Sequence, residues 1–115
     1  VVDARTGRVV HAPRLGWRDV PLASALAARL ALPAHVENAP VACALARLWA
    51  AGGAAGGAVG ALGRARDLAY VSIADGVSVG LVVDGMALRG AAHGAGAFGH
   101  VCLDPRGPRC ACGRR

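Results

Sequence analysis

The sequence predicts an α/β fold in which two helices precede a group of antiparallel strands. Leucines recur at helical spacing over residues 20–30, and a second apolar run with helical spacing starts at Pro40. Further along, the runs 68–74 and 77–84 are rich in β-branched residues and are bounded by Asp-Gly turn signals. Helix signals followed by hairpin signals predict helices packed on an antiparallel sheet.

The first helix is predicted over residues 20–30. Asp19 is suited to the N-cap and Pro21 to the first turn, while Pro33 ends the helix. Three leucines share one face, which makes the predicted helix amphipathic: Leu22, Leu26 and Leu30.

Short extended segments are predicted on either side of this helix. Residues 9–11 form one of them, and Pro13 and Gly16 interrupt the chain that follows. Residues 34–37 form the other, a short strand that ends at Asn38.

The second helix is predicted to start at Pro40 and to fade into a Gly/Ala run at residues 51–60. Residues 41–62 are the only candidate for a membrane span, but Arg47 interrupts them and glycine and alanine dominate their second half. A helix that continues into a linker accounts for the segment better, and we expect no membrane association.

Three consecutive antiparallel strands are predicted at 68–74, 77–84 and 86–89. Asp75-Gly76 and Asp84-Gly85 are the two hairpin signals between them. Because the first two strands are apolar on both faces, we expect a sheet that is covered on both sides.

Composition argues against direct binding of nucleic acid. The formal charge is +6 with a pI near 10.5, and all basic residues are arginines. These arginines are scattered except in the tail at 106–115, and no aromatic residues alternate with them as stacking platforms. A solvated basic surface is the favoured interpretation.

The size and the cysteine content set two further bounds. The 115 residues are rich in alanine and glycine, which bury little area each, so we expect a piece of a longer protein that needs the rest of its chain for stability. The four cysteines are unevenly spaced and do not suggest a disulfide framework, so a reducing, cytoplasmic environment is predicted.

A metal site is one candidate chemistry. His100, Cys110 and Cys112 offer one imidazole and two thiolates, which are ligands suited to tetrahedral zinc. A closed site needs a fourth ligand, for which Cys102 is a candidate because it lies two residues from His100. From spacing alone, a stray histidine with two free thiols is an equal alternative.

Two other segments are candidates for ligand binding. Asn38 follows a predicted strand and precedes a helix, so its amide could grip a ligand hydroxyl, although an N-cap role is the simpler alternative. Gly76 and Gly80 lie in or near the predicted hairpin turn, where backbone N–H groups could approach a phosphate. An ordinary tight hairpin is favoured there, because the Asp75 carboxylate would repel phosphates.

Taken in this order, the segments resemble the ROK family (repressors, open reading frames and kinases). The resemblance covers essentially the whole chain. It is carried by the following segments: Leu-Gly-Trp-Arg-Asp-Val-Pro-Leu at 15–22, Leu-Pro at 32–33, Val-Glu-Asn at 36–38, the hairpin at 68–85, Gly-Ala-Phe-Gly-His at 96–100, and residues 104–113.

The resemblance implies an actin-like ATPase (ribonuclease H-like) fold that is usually dimeric. Residues 1–62 would be the C-terminal part of the first lobe. Residues 63–115 would start the second lobe, with its β-hairpin and a partial zinc motif. It also implies that Asn38 and His100 contact the sugar, that Gly76 and Gly80 belong to the phosphate loop, and that the zinc ligands include those named above: His100, Cys110 and Cys112. The family's fourth zinc ligand is a cysteine that would lie beyond Arg115.

The chain departs from the family pattern where the kinases do their chemistry. The Asp that acts as general base is Ala39 here, and the loss of a catalytic base costs a factor of about 10²–10⁴ in rate. The Glu that grips sugar hydroxyls is Ala97, and Val41 stands where an Asn is usual. Residues of the phosphate loop are also altered: Ala74, Asp75, Ser78 and Val79. ATP binding is therefore not expected.

Two functions follow from the resemblance. The first is the sugar-sensing and dimerisation part of a ROK transcriptional regulator without kinase activity, which would contact DNA only through an N-terminal domain outside this chain. The second is a diverged or decayed ROK sugar kinase, similar to a glucokinase, that phosphorylates a hexose with ATP.

Overall fold

The computed structural model describes residues 1–52, 65–74, 76–110 and 112–115, and in this part of the chain the strands form two antiparallel three-stranded sheets. Each sheet packs against one helix. The elements in chain order are β1 (Val2–Asp3), β2 (Arg8–Ala12), β3 (Trp17–Val20), α1 (Leu22–Leu30), α2 (Ala39–Gly52), β4 (Leu68–Ile73), β5 (Val77–Val83) and β6 (Met86–Ala87). The sheet orders are β1-β2-β3 and β4-β5-β6.

The first sheet contains the extended segment predicted at 9–11, which lies in β2. Strands β1 and β3 were not predicted. Pro13 opens a 3-10 turn, and Gly16 adopts a left-handed conformation with φ of 66°. The two residues expected to break the structure therefore form the β2–β3 connection, since a left-handed residue reverses the chain without steric cost when it is glycine.

Helix α1 confirms the helix predicted at 20–30, but not its cap. The N-cap is Pro21 and makes no side-chain cap hydrogen bond. Asp19 lies in β3, where its carboxylate accepts a hydrogen bond from Arg8 Nε at 2.8 Å. The N-cap prediction was wrong because this cross-strand ion pair holds the carboxylate in the sheet.

Helix α1 is attached to the first sheet at the turn that precedes β2. The Ala23 N–H donates to the Gly7 carbonyl at 3.0 Å. A Cβ on Gly7 would lie 2.3 Å from the Ala23 Cβ, so only glycine permits this approach. The predicted apolar face is nevertheless open to solvent, since Leu30 is 60% exposed.

The short strand predicted at 34–37 is wrong: no strand is assigned between α1 and α2. A strand needs a neighbour to complete its backbone hydrogen bonds, and neither described sheet pairs with this segment. Helix α2 begins at Ala39, one residue before the predicted start, and the Gly/Ala run that follows lies outside the described residues.

The second sheet confirms the three predicted strands. Strands β4 and β5 pair from Leu68↔Val82 to Ile73↔Val77. Asp84 and Gly85 have φ of 56° and 79°, as expected for a two-residue hairpin turn of type I′. Asp75 of the other predicted hairpin signal lies outside the described residues.

The core lies where α2 packs on one face of β4 and β5. Val41, Ala44 and Val82 are buried there. On the opposite face, Val71 and Ile73 are exposed, Ile73 by 79%. In the described part of the chain only one face of this sheet is covered, and coverage of both faces stays a prediction for the longer protein.

Within the described residues, no helix combines the length and the apolarity needed to cross a bilayer. All four cysteines are free thiols.

Candidate functional site

Asn38 and His100, far apart in the sequence, line the same cavity. Its volume is about 160 Å³, which is below the roughly 300–1,000 Å³ of cavities for drug-sized ligands and suits a small molecule. Ser78 and His93 add polar groups to the wall. None of the described residues that line it is acidic.

Asn38 is positioned by its neighbour Glu37. One carboxylate oxygen of Glu37 accepts a hydrogen bond from the Asn38 N–H at 2.9 Å. The other oxygen accepts hydrogen bonds from Arg89, one from Nε at 2.9 Å and one from a terminal guanidinium nitrogen. The Asn38 carbonyl accepts the Ala42 N–H at 2.9 Å, which starts α2. Asn38 is thus fixed between the first turn of α2 and the segment that follows β6.

His100 is positioned by a glycine-rich segment that lies along β5. The Val79 N–H donates to the Gly96 carbonyl at 2.9 Å, and Gly96 has φ of 82°. A Cβ on Gly96 would lie 1.7 Å from the Val79 carbonyl oxygen, so a side chain is excluded there. A 3-10 turn over Phe98–His100 then brings the imidazole to the cavity.

Two of the positions at which the sequence departs from the expected kinase pattern, Ala39 and Ala97, are placed differently. Ala97 lines the cavity, so its methyl group forms part of the wall. Ala39 is the first residue of α2, directly after Asn38. Neither methyl can accept a proton or a hydrogen bond.

The hairpin glycines differ in their surroundings. A Cβ on Gly80 would lie 2.0 Å from the Pro40 carbonyl oxygen, so close packing of α2 on β5 by itself requires glycine there. Around Gly76, no atom lies within 4 Å of such a Cβ. The role of Gly76 and Gly80 in binding phosphate stays a prediction.

His93 lines the cavity and was missed in the sequence. Its Nε2 lies 3.5 Å from Asp3 Oδ1, while its buried Nδ1 has no hydrogen-bond partner among the described residues. The pKa of Asp3 is lowered, chiefly by a hydrogen bond from the Thr6 hydroxyl. Hydrogen bonds from the N–H groups of Arg5 and Thr6 and the charge of His93 act in the same direction. A histidine in a glycine-rich run gave no periodic signal, so only the fold reveals its position.

The three predicted metal ligands converge. One ligand atom from each of His100, Cys110 and Cys112 lies within 4.8 Å of the others, and Cys110 Sγ is 3.7 Å from His100 Nδ1. Tetrahedral zinc with bonds of about 2.1 Å to nitrogen and 2.3 Å to sulfur separates such atoms by about 3.6 Å. The donor set and its spacing therefore fit zinc, and Cys102 is not part of this cluster.

A closed turn brings Cys112 back towards the other two ligands. The Cys110 N–H donates to the Arg114 carbonyl at 2.7 Å, and the Gly113 N–H donates to the Cys110 carbonyl at 2.9 Å. Hydrogen bonds from the Arg114 backbone, Cys110 and His100 lower the pKa of Cys112 from 9.0 to about 7. A thiol with this pKa supplies the thiolate that a metal requires.

Comparison with known proteins connects this site to a family. A family model described as "ROK family" matches residues 1–115. The chain is 33% identical over 113 residues to a xylose repressor of Caldicellulosiruptor bescii, covering 98% of this chain and 26% of that protein. It is also 33% identical over 114 residues to a glucokinase of Halalkalibacterium halodurans, covering 98% of this chain and 32% of that protein.

A solved structure shows the same fold. The crystal structure of a ROK family transcriptional regulator, a homologue of the E. coli MLC protein, matches with a TM-score of 0.76 and 27% identity, covering 98% of this chain and 26% of that one. The chain thus spans between about a quarter and a third of the length of the curated relatives named above. The actin-like ATPase fold expected from the sequence is confirmed by this likeness.

Proposed function

We propose that this chain, which belongs to the ROK family, is the sugar-sensing core of a transcriptional regulator and does not transfer phosphate. Similarity to a xylose repressor and a glucokinase alike leaves both functions open at the level of the family. The observation that carries the proposal is the cavity itself. Asn38 and His100 line it together, whereas Ala39 stands at the position of the catalytic base.

The lining is suited to hydroxyl groups. The Asn38 amide donates and accepts, the Ser78 hydroxyl does the same, and a neutral imidazole offers one donor and one acceptor. Small-residue walls at Gly94 and Ala95 leave room for a ring. These neutral groups can recognise a sugar without providing the carboxylate base that phosphoryl transfer to a hydroxyl requires.

We propose that zinc belongs to this site in the longer protein. His100, Cys110 and Cys112 would hold it, and the ion would supply a structural cross-link between His100 and the turn at 110–114. Since Nδ1 of His100 faces the thiol, Nε2 remains for a ligand hydroxyl.

Sensing would act through the two segments that meet at the cavity. One is the entry to α2, which carries Asn38, and the other is the segment 94–100, which carries His100. A sugar that contacts both favours the conformation in which they are close, and so shifts the balance between forms with different DNA affinity. We place the DNA-binding domain and the dimer interface in the longer, cytoplasmic protein.

A sugar kinase is the second candidate, and His93 is the observation that favours it. An imidazole in the cavity could accept a proton in place of the missing carboxylate. The regulator is preferred because Ala97 also removes a contact to the sugar, so that proton acceptor and sugar clamp are lost together.

Calorimetric titration of the full chain that the gene encodes tests the proposal, with xylose, glucose and N-acetylmannosamine, each with and without ATP. We expect saturable binding of at least one sugar and no phosphorylated product. Asn38→Ala should weaken that binding by about 10- to 100-fold, because it removes hydrogen bonds to the sugar. His35→Ala, an exposed residue outside the cavity lining, is the matched control and should change nothing. Measurable phosphorylation would contradict the regulator and favour the kinase.

A further inference from the structure

We infer that a second cavity beside the sugar site binds an anion, so that the ligand sensed is a sugar with a phosphate or carboxylate group. This inference rests on the proposed function. The second cavity has a volume of about 290 Å³ and is lined by Ala4, Arg5, Arg89, Gly90 and His93. Nothing in the family resemblance assigns a role to this lining.

Arg5 provides most of the available positive charge. Its side chain is 84% exposed, and its guanidinium lies 3.9 Å from Asp3, at the outer limit for an ion pair. The Asp3 carboxylate is already held by shorter bonds, from the Thr6 hydroxyl at 2.7 Å and from the Arg5 N–H at 3.0 Å. Arg5 therefore keeps most of its five N–H donors for an anion, which a guanidinium binds in bidentate fashion.

Arg89 provides a fixed wall. Its Nε and one terminal nitrogen bind the same Glu37 oxygen, which orients the guanidinium plane and offsets its charge. Its other terminal nitrogen makes only a long contact of 3.4 Å with the Ala87 carbonyl. No acidic residue is among the described residues that line this cavity.

His93 connects the two cavities, because it lines both of them. A sugar ring beside Asn38 and His100 can therefore extend a charged substituent past His93 towards Arg5. No Phe, Tyr or Trp side chain is among the described residues of either lining, where the aromatic rings are the imidazoles of His93 and His100. An acidic or phosphorylated sugar satisfies both linings.

Calorimetric titration of the full chain with matched ligands tests this inference. The probes are glucose, glucose 6-phosphate, glucuronate, N-acetylmannosamine, its 6-phosphate and inorganic phosphate. We expect a charged sugar to bind at least about tenfold tighter than its neutral parent, in keeping with one charge-assisted contact. Arg5→Gln should remove that advantage and leave the affinity for the neutral sugar unchanged, while Arg5→Lys should retain part of it.

Arg18→Gln is the control, since Arg18 is an exposed arginine that lines neither cavity. A gain with the 6-phosphate alone identifies a phosphate site, and a gain with glucuronate as well identifies a site for either anion. If neutral sugars bind and no charged form binds more tightly, the anion subsite is refuted while the sensor remains. If no neutral sugar binds but inorganic phosphate binds and Arg5→Gln abolishes it, the subsite is supported and the proposed function fails. If nothing binds, both fail.

Discussion

At the scale of single residues, His100 connects the two candidate sites. Its Nδ1 lies 3.7 Å from Cys110 Sγ, and the same side chain lines the cavity that Asn38 enters from the opposite segment. A metal ion bound at Nδ1 would fix the orientation of the imidazole ring, and it would thereby also fix the direction in which Nε2 points. Metal content and sugar affinity should therefore change together.

The first prediction concerns the metal. The full chain should hold about one zinc ion per protomer. Cys112→Ser should remove most of it, because the two ligands of this cluster that remain bind zinc with lower affinity than all three. Metal analysis by mass spectrometry after dialysis measures the content, and titration with the best sugar ligand measures the accompanying loss of affinity.

Cys102→Ser is the matched control for this prediction, because Cys102 is an exposed free thiol outside the cluster. It should retain the metal. If Cys102→Ser loses zinc and Cys112→Ser keeps it, the ligand set proposed here is wrong.

The second prediction concerns the pH dependence of Cys112. Its pKa in the folded chain is lowered from 9.0 to about 7, chiefly by the backbone of Arg114. Because the folded pKa lies below the unfolded value, the thiolate stabilises the fold above about pH 9, and this contribution is lost as the pH falls towards about 7. In chelator-treated full chain, the rate of alkylation of Cys112 by iodoacetamide should rise with a midpoint near pH 7.

Peptide mapping after short pulses of reagent isolates the Cys112 reaction from the other thiols. Cys110→Ala should move its midpoint upward, since it removes one hydrogen bond to the thiolate. A midpoint for Cys112 near pH 9 would show that the turn at 110–114 does not form without metal.

At the scale of elements, the contact between α2 and β5 determines where Asn38 lies. The Pro40 carbonyl occupies the space that a side chain at position 80 would need, and Val41 is buried beside it. The start of α2 is thereby held against β5, and the segment 94–100 lies along the same strand. The cavity exists because both of its walls rest on β5.

The third prediction follows from this contact. Gly80→Ala should lower the free energy of unfolding of the full chain by about 1–3 kcal/mol, because the added methyl group meets backbone atoms that cannot rotate away. Urea denaturation followed by circular dichroism measures the change. Gly80→Ala should also weaken sugar binding, because the added methyl group forces the start of α2, and with it Asn38, to shift.

Gly76→Ala is the matched control in the same hairpin. No atom lies within 4 Å of a Cβ at that position, so its free energy of unfolding should change by less than about 0.5 kcal/mol. Equal effects of the two substitutions on the free energy of unfolding would mean that the close approach to Pro40 is not what requires glycine at position 80.

At the scale of the whole molecule, much apolar surface is open. Leu103 and Trp49 are 94% and 82% exposed. The radius of gyration is 16.3 Å, compared with about 13 Å for a compact domain of this size. The relatives are about three to four times longer than the matched segment, and we expect their additional length to supply a covering layer for such side chains.

The fourth prediction is that the 115-residue chain expressed alone binds the dye ANS strongly, whereas the full chain binds it weakly. The reason is that the exposed face of β4, with Val71 and Ile73, needs a covering layer. Fluorescence at equal molar concentrations measures the difference. Equal dye binding by the two chains would mean that this face stays open in the longer protein.

Local patterns predicted most of the elements. Helical spacing located both helices to within two residues, and the Asp84-Gly85 signal located a turn whose two residues have positive φ. These features depend on neighbours in the chain. The two failures have the opposite cause. Asp19 is held by Arg8 on the neighbouring strand, which helix-cap patterns do not reveal. Residues 34–37 have no strand to pair with in either described sheet, which their own sequence does not reveal.

By itself, the sequence determined the family and the residue types at the candidate site, including Ala39 and Ala97. Side-chain chemistry can be read without coordinates. Only the tertiary structure decided that Asn38 and His100 share one cavity and that His93 and Arg5 lie beside it. The same holds for two contacts between distant segments, the Glu37–Arg89 ion pair and the close approach of Gly80 to Pro40. Local periodicity in the sequence does not predict them, because such contacts arise from packing between elements.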